Sequence, residues 1–100
     1  MNRSDIAVIG GGISGLGVAH FGAKAGCTVQ IFEQNKQLGG ALQTKNKDDF
    51  WFELGGHTCY NSYETLIEIL HDLDLFRFIQ LRKREPFKIW CDGEFRSIFS

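Results

Sequence analysis

A single proline in 100 residues leaves no room for a proline-rich linker or a polyproline segment. Cysteine is scarce as well. Cys27, Cys59 and Cys91 stand far apart with no CxxC pair, which excludes a disulfide framework and a cysteine-based zinc site and suits a reducing cytoplasm. Neither sign of charge is in excess: 11 basic against 12 acidic residues give a net charge of -1, so nothing calls for nucleic acid or an anionic membrane surface. Long apolar runs are missing too. The uncharged stretch from Ile6 to Ala23 is broken by glycines and His20, and no cationic segment or cleavage site frames it, so it reads neither as a membrane span nor as a signal core. No nucleophile–base pair and no metal-ligating cluster is visible, so no residue is assigned a catalytic role and no metal is expected.

What the chain does have is glycine, twelve in all, six of them at positions 10, 11, 12, 15, 17 and 22. They fall into a readable order. Ile6-Ala7-Val8-Ile9 is a short apolar run ended by Gly10-Gly11-Gly12, as expected for a buried parallel strand. From Ile13 to Lys24 apolar residues recur at helical spacing, and Gly26 is placed to close that helix with a left-handed cap. Thr28 to Phe32 reads as a second strand, completing one strand–crossover helix–strand unit by Glu33. A polar stretch from Gln34 to Asp49 follows, interrupted by Gly39-Gly40.

Phe50 to Leu54 alternates as a strand, with Phe50, Phe52 and Leu54 on one side. Asn61 and Glu64 have the spacing of a capping box before a helix that puts Tyr63, Leu66, Ile67, Leu70 and Leu73 on one face. The last quarter predicts strands at Phe78 to Leu81, at Phe87 to Cys91 and, past a turn at Asp92-Gly93, at Glu94 to Phe99. Trp51 and Trp90 read as packing residues. The expected class is therefore α/β: a Rossmann-like βαβ unit with an incomplete parallel sheet, then a helix and a β-hairpin. One hundred residues suffice for one compact domain and not for two.

Gly10-Gly11-Gly12-Ile13-Ser14-Gly15 fits G-x-G-x-x-G. Gly10 permits the tight turn out of the strand, Gly12 lets backbone approach a pyrophosphate, and Gly15 lets the helix lie close to the sheet. The N–H groups of Ile13, Ser14 and their neighbours at the helix start then face the phosphate oxygens. A glycine fingerprint alone is weak. Here a strand precedes it, a helix follows, and Glu33 stands 23 residues past Gly10 at the end of the second strand, where a carboxylate accepts hydrogen bonds from both adenosine ribose hydroxyls. The same charge repels a 2′-phosphate and disfavours NADP. The bland alternative, glycines serving only a turn and close packing, leaves Glu33 and the strand–helix–strand context unexplained.

The order of that fingerprint, Glu33 with Gln34, and then Gly39-Gly40 resembles the FAD-dependent amine oxidase, protoporphyrinogen oxidase and phytoene desaturase superfamily. In that family the glycine pair usually reads Arg-x-Gly-Gly-Arg-x-x-Thr/Ser and approaches the FAD pyrophosphate. The run here is Gln37-Leu38-Gly39-Gly40-Ala41-Leu42-Gln43-Thr44, with Gln37 and Ala41 in place of both arginines. Phe52 to Leu54, ending in Gly55-Gly56-His57, resembles the next family landmark, a strand terminus beside the flavin ring. A comparable Gly-Pro-His occurs in UDP-galactopyranose mutases, which keeps a mutase-like isomerase as the alternative.

The resemblance covers Ile6 to His57 and implies FAD, rather than NAD, as the cofactor. The residues implied to hold it are Gly10, Gly12, Ile13, Ser14, Gly15, Glu33, Gln34, Gly39, Gly40, Ala41, Gly56 and His57. It implies a flavin-dependent oxidoreductase that takes hydride from an unnamed small-molecule substrate. Residues 1–57 would form the FAD-binding unit and residues 58–100 the start of a substrate region. Family members run to several hundred residues, so these 100 are expected to be the N-terminal part of a larger protein and inactive alone. A non-catalytic nucleotide-binding module is the third reading.

Overall fold

The computed structural model describes residues 3–98. Strand β1 (Ile6–Ile9) and strand β2 (Val29–Phe32) pair in parallel, with Ile6 opposite Val29 and Ile9 opposite Phe32. Helix α1 (Ile13–Lys24) makes the crossover between them, as the apolar spacing predicts. Its end is a Schellman motif: Gly26, at φ +90°, donates its N–H to Ala23 O (3.0 Å), and Cys27 N–H reaches Gly22 O (3.0 Å). Those bonds satisfy carbonyls that the helix leaves open, and the left-handed position is one that only glycine takes without strain.

Small residues set how close α1 lies to the sheet. Gly15 and Gly22, two turns apart, both face it. A Cβ on Gly22 would come within 2.9 Å of Ile6 Cδ1 and 3.1 Å of Val29 Cγ2, and one on Gly15 would overlap the Gly10 carbonyl and press on Val8 Cγ1. Ile6 and Val8 therefore turn toward α1, and Val8 is the buried apolar residue of the unit. The opposite face stays bare. Ile9, expected to be buried, is 83% exposed, because no described element packs on that side.

Two antiparallel hairpins and a second helix complete the chain. Strands β3 (Thr44–Lys47) and β4 (Phe50–Glu53) pair across a turn at Asp48 and Asp49. The second half of the stretch read as merely polar is thus a strand: its TKNK sequence has no apolar alternation, and pairing with β4 decides it. Helix α2 (Glu64–Asp72) begins one residue after Tyr63. The expected capping box does not form, since Tyr63 takes the cap position and no side chain caps it.

A 3-10 turn at Phe76–Phe78 replaces the strand expected from Phe78 to Leu81; those residues find no partner strand among the described ones. Strands β5 (Lys88–Cys91) and β6 (Glu94–Ser97) form the predicted hairpin, with Asp92 at φ 52° and Gly93 at φ 80° in its two-residue turn. β6 ends at Ser97, short of the expected Phe99, which lies outside the described residues. The tryptophans are not core residues: Trp51 is 69% and Trp90 62% exposed, although Trp90 meets Phe95 edge-on at 4.8 Å.

Helix α2 lies against α1 through a clasp of charges. Lys24 Nζ donates to Asp72 Oδ2 (2.8 Å) and Glu68 Oε1 (3.2 Å), and His20 Nε2 meets the same Asp72 oxygen at 2.9 Å. Lys24 and then His20 hold the Asp72 carboxyl below its ordinary range, while Asp72 and then Glu68 raise the Lys24 ammonium above its own. An apolar cleft of about 840 Å³ remains between the helices, lined by Val18, Phe21, Tyr63, Leu66 and Ile69 among others. The chain measures 62 × 30 × 24 Å and exposes 9103 Å², against about 5,700 Å² for a self-contained domain of its mass. The parallel unit with α2 is packed; the hairpins reach away from it.

Candidate functional site

The glycine turn between β1 and α1 sits directly beside the end of β2. Gly10 N–H donates to Phe32 O (2.8 Å), carrying the parallel ladder one residue past the strand. Glu33 follows at once, so its carboxylate lies next to the turn. Oε1 accepts the Gly11 N–H (3.0 Å) and Oε2 the Asn35 N–H (2.8 Å). These two donors, Asn35 foremost, hold the Glu33 carboxyl below the usual glutamate range, because hydrogen bonds to the charged form stabilise it.

The second glycine pair is tied to the same turn. Gly39 N–H donates to Gly11 O (2.8 Å). Gly11 thus spends its N–H on the acid and its carbonyl on the pair, with Leu38 packed over it. Gly40, at φ 57°, then passes over the start of α1. A Cβ added to Gly40 would stand 3.1 Å from Gly12 Cα, and one added to Gly12 would stand 3.9 Å from Gly40 Cα. Two backbones stripped of side chains thus lie in close contact.

Helix α1 opens beside that contact with Gly12 as its cap residue, no side-chain cap and no acidic residue in its first turn. Its N–H groups and the positive end of its dipole are thereby left for an anion. A cleft of about 730 Å³ runs from there along the strand ends, lined by Ile9, Gly10, Phe32, Glu33, Gln34 and Gly40 among others.

A family profile described as "NAD(P)-binding Rossmann-like domain" matches residues 8–73. The chain belongs to that family. Its relatives place this Rossmann-like domain in the FAD-dependent amine oxidase and desaturase superfamily. A flavin-containing monoamine oxidase A of Dictyostelium discoideum is 32% identical over 76 residues, covering 76% of this chain and 17% of that protein. A 4,4'-diapolycopene oxygenase of Methylomonas sp is 36% identical over 91 residues, covering 86% of this chain and 18% of that one. The solved structure of putrescine oxidase bound to putrescine superposes with a TM-score of 0.70 at 28% identity, covering 99% of this chain and 22% of that one. The Rossmann-like domain described here therefore spans about a fifth of the length of such proteins. The mutase alternative finds no support, because the matches are amine oxidases and carotenoid desaturases or oxygenases.

Within the Rossmann-like domain, Gly10, Glu33, Gln34 and Gly40 line one cleft, with Gly12 against Gly40 and Gly39 bonded to Gly11 at its edge. Gly15 stands behind it, against Gly10. Ile13 and Ser14 begin α1, but they line the cleft toward α2. Gly56 lies one layer out, where an added Cβ would sit 3.6 Å from Leu42 Cδ2, and the Ala41 carbonyl rests against the Gly55 backbone. His57 is exposed beside Thr58 Oγ1 (3.3 Å) and does not line the cleft.

Two participants escape a reading of the sequence. Gly11 falls on a position where the fingerprint accepts any residue, so only its excess as a third consecutive glycine signals it. Asn35 contributes a backbone N–H, which any residue but proline supplies. His71 stacks on Phe76 at 4.3 Å and Arg82 lies over the Phe87 ring at 5.3 Å. Cys27, Cys59 and Cys91 are free thiols. Among the described residues no metal-ligating cluster forms and no helix is long and apolar enough to cross a membrane.

The donor set fits the ADP half of FAD. The uncapped helix start, with no Cβ on Gly12 or on Gly40 beside it, suits a pyrophosphate, whose oxygens need donors and whose approach a Cβ would crowd. The ionised Glu33 keeps acceptor capacity beyond its two backbone bonds, as a ribose diol requires.

Proposed function

We propose that this chain is the FAD-binding unit of a flavin-dependent oxidoreductase of the amine oxidase and desaturase kind. One observation carries the reading: Gly11 joins the phosphate turn, the ribose acid and the second glycine pair through two backbone hydrogen bonds of 3.0 and 2.8 Å. That linkage fixes an anion site and a diol site at a set distance from each other, as an ADP moiety demands and an isolated phosphate does not. Residues 1–57 hold the dinucleotide, and residues 58–100 open the substrate region.

In this reading the α1 N–H groups and the backbone of Gly12 and Gly40 hold the pyrophosphate. Glu33 grips the adenosine ribose and turns away a 2′-phosphate, and the base lies along the cleft past Phe32 and Gln34. Gly56 and His57 approach the cofactor from the β4 side. Bound FAD supplies the hydride-accepting chemistry; the chain supplies position and a fixed field. The whole protein oxidises a small molecule at a C–N or C–C bond, in a reducing compartment that suits three free thiols.

The test is purification of the full-length protein and its absorbance in the flavin bands, followed by release and identification of the chromophore. FAD in near-stoichiometric amount supports the reading. A protein that takes up no flavin on incubation with FAD overturns it.

A further inference from the structure

Resting on the FAD reading, we propose that Gln43 is a positioning residue that sets which pole of the Gly40–Ala41 peptide faces the pyrophosphate. Residues 39–42 form a β-turn closed by Leu42 N–H to Gly39 O (2.9 Å), so the Gly40–Ala41 peptide is its central one. Gly39 and Gly40 have φ values of 114° and 57°, and two adjacent glycines leave this peptide several orientations at little steric cost. The Gln43 side chain removes that choice. Its Nε2 donates to Gly40 O at 2.8 Å in a half-buried setting.

A trans peptide directs its C=O and N–H in opposite senses. With the Gly40 carbonyl committed to Gln43, the Ala41 N–H points the other way, and among the described residues it has no protein acceptor. Gly40 lines the cleft and covers Gly12, so the orientation matters electrostatically. A donor turned toward the pyrophosphate stabilises it, whereas a carbonyl turned there repels it. Where Ala41 lacks a cationic side chain, a backbone N–H aimed by Gln43 supplies positive potential at the same place. Gln43 is itself held: its N–H reaches Ala41 O (3.2 Å) and its carbonyl accepts Leu54 N–H (2.8 Å), which anchors the turn to the end of β4.

The experiment uses the full-length protein freed of flavin, titrated with FAD, with ADP and with adenosine. Gln43→Met keeps the length and removes the donor. The expected result is FAD and ADP binding weakened about tenfold, as for one lost charge-assisted hydrogen bond, with adenosine binding within twofold of the parent. A second readout needs no variant: in alanine-labelled parent protein the Ala41 amide resonance shifts on adding ADP and stays still on adding adenosine. An unmoved Ala41 resonance in a protein that binds ADP overturns the proposal and leaves the FAD reading intact, as does equal weakening of adenosine and ADP by Gln43→Met, or no weakening of either. A parent protein that binds neither FAD nor ADP overturns the FAD reading itself, and this proposal with it.

Discussion

Gly12→Ala separates the cofactor site from the fold that carries it. Gly12 has φ -75° and ψ -176°, an extended conformation open to any residue. The new Cβ meets only Gly40 Cα, at 3.9 Å, an ordinary contact. Relief of unfolded-chain entropy and the loss of a good cap residue oppose each other, so stability should change by no more than about 1 kcal/mol. Binding should respond very differently, because the methyl group crowds the mouth of α1 where a pyrophosphate must approach the helix N–H groups. Displacing the phosphates far enough to break two charge-assisted bonds costs about 3–6 kcal/mol, which is roughly 10² to 10⁴ in affinity.

Gly15→Ala is the matched control: its Cβ overlaps the Gly10 carbonyl, so it should destabilise the fold through overpacking, by about 1–3 kcal/mol. Urea unfolding of the apoprotein and fluorescence titration with FAD measure both quantities for each variant. Parent-like FAD affinity in Gly12→Ala would refute the reasoning. So would a Gly12→Ala apoprotein destabilised as much as Gly15→Ala.

Glu33→Ala should weaken FAD, ADP and adenosine together, since it removes the ribose acceptor and frees the Gly11 N–H; calorimetric titration of all three ligands checks it. Because Asn35 and Gly11 depress the Glu33 pKa, the carboxylate's contribution is fully present above the ordinary glutamate value. It is lost as the pH falls through the lower folded value, so adenosine affinity should stay flat through the usual glutamate range and drop only below it. Gly26→Ala places a side chain at φ +90° in open space, so its cost is backbone strain alone, about 1–2 kcal/mol, read from urea midpoints. Asp72→Asn should speed amide exchange in α2 and barely change FAD affinity. In the parent, the clasp should weaken as acid passes through the depressed Asp72 value or as base passes through the raised Lys24 value.

Local chemistry settled some of this in the sequence alone. The bounds of β1 and α1, the glycine cap at Gly26 and the Asp92-Gly93 hairpin turn each follow from a few adjacent residues whose period or allowed φ admits one reading. The acid at Glu33 was legible too, because a βαβ unit fixes how far along the chain the second strand must end. Tertiary structure decided the rest. β3 exists through pairing with β4, not through its own composition, and Phe78 to Leu81 formed no strand because no partner edge reached them. Gly11, Asn35 and Gln43 act through hydrogen bonds to residues 22, 2 and 3 positions away, made by groups that pattern and periodicity do not distinguish. A sequence shows which residues have unusual freedom; only the folded chain shows which donors and acceptors meet across it.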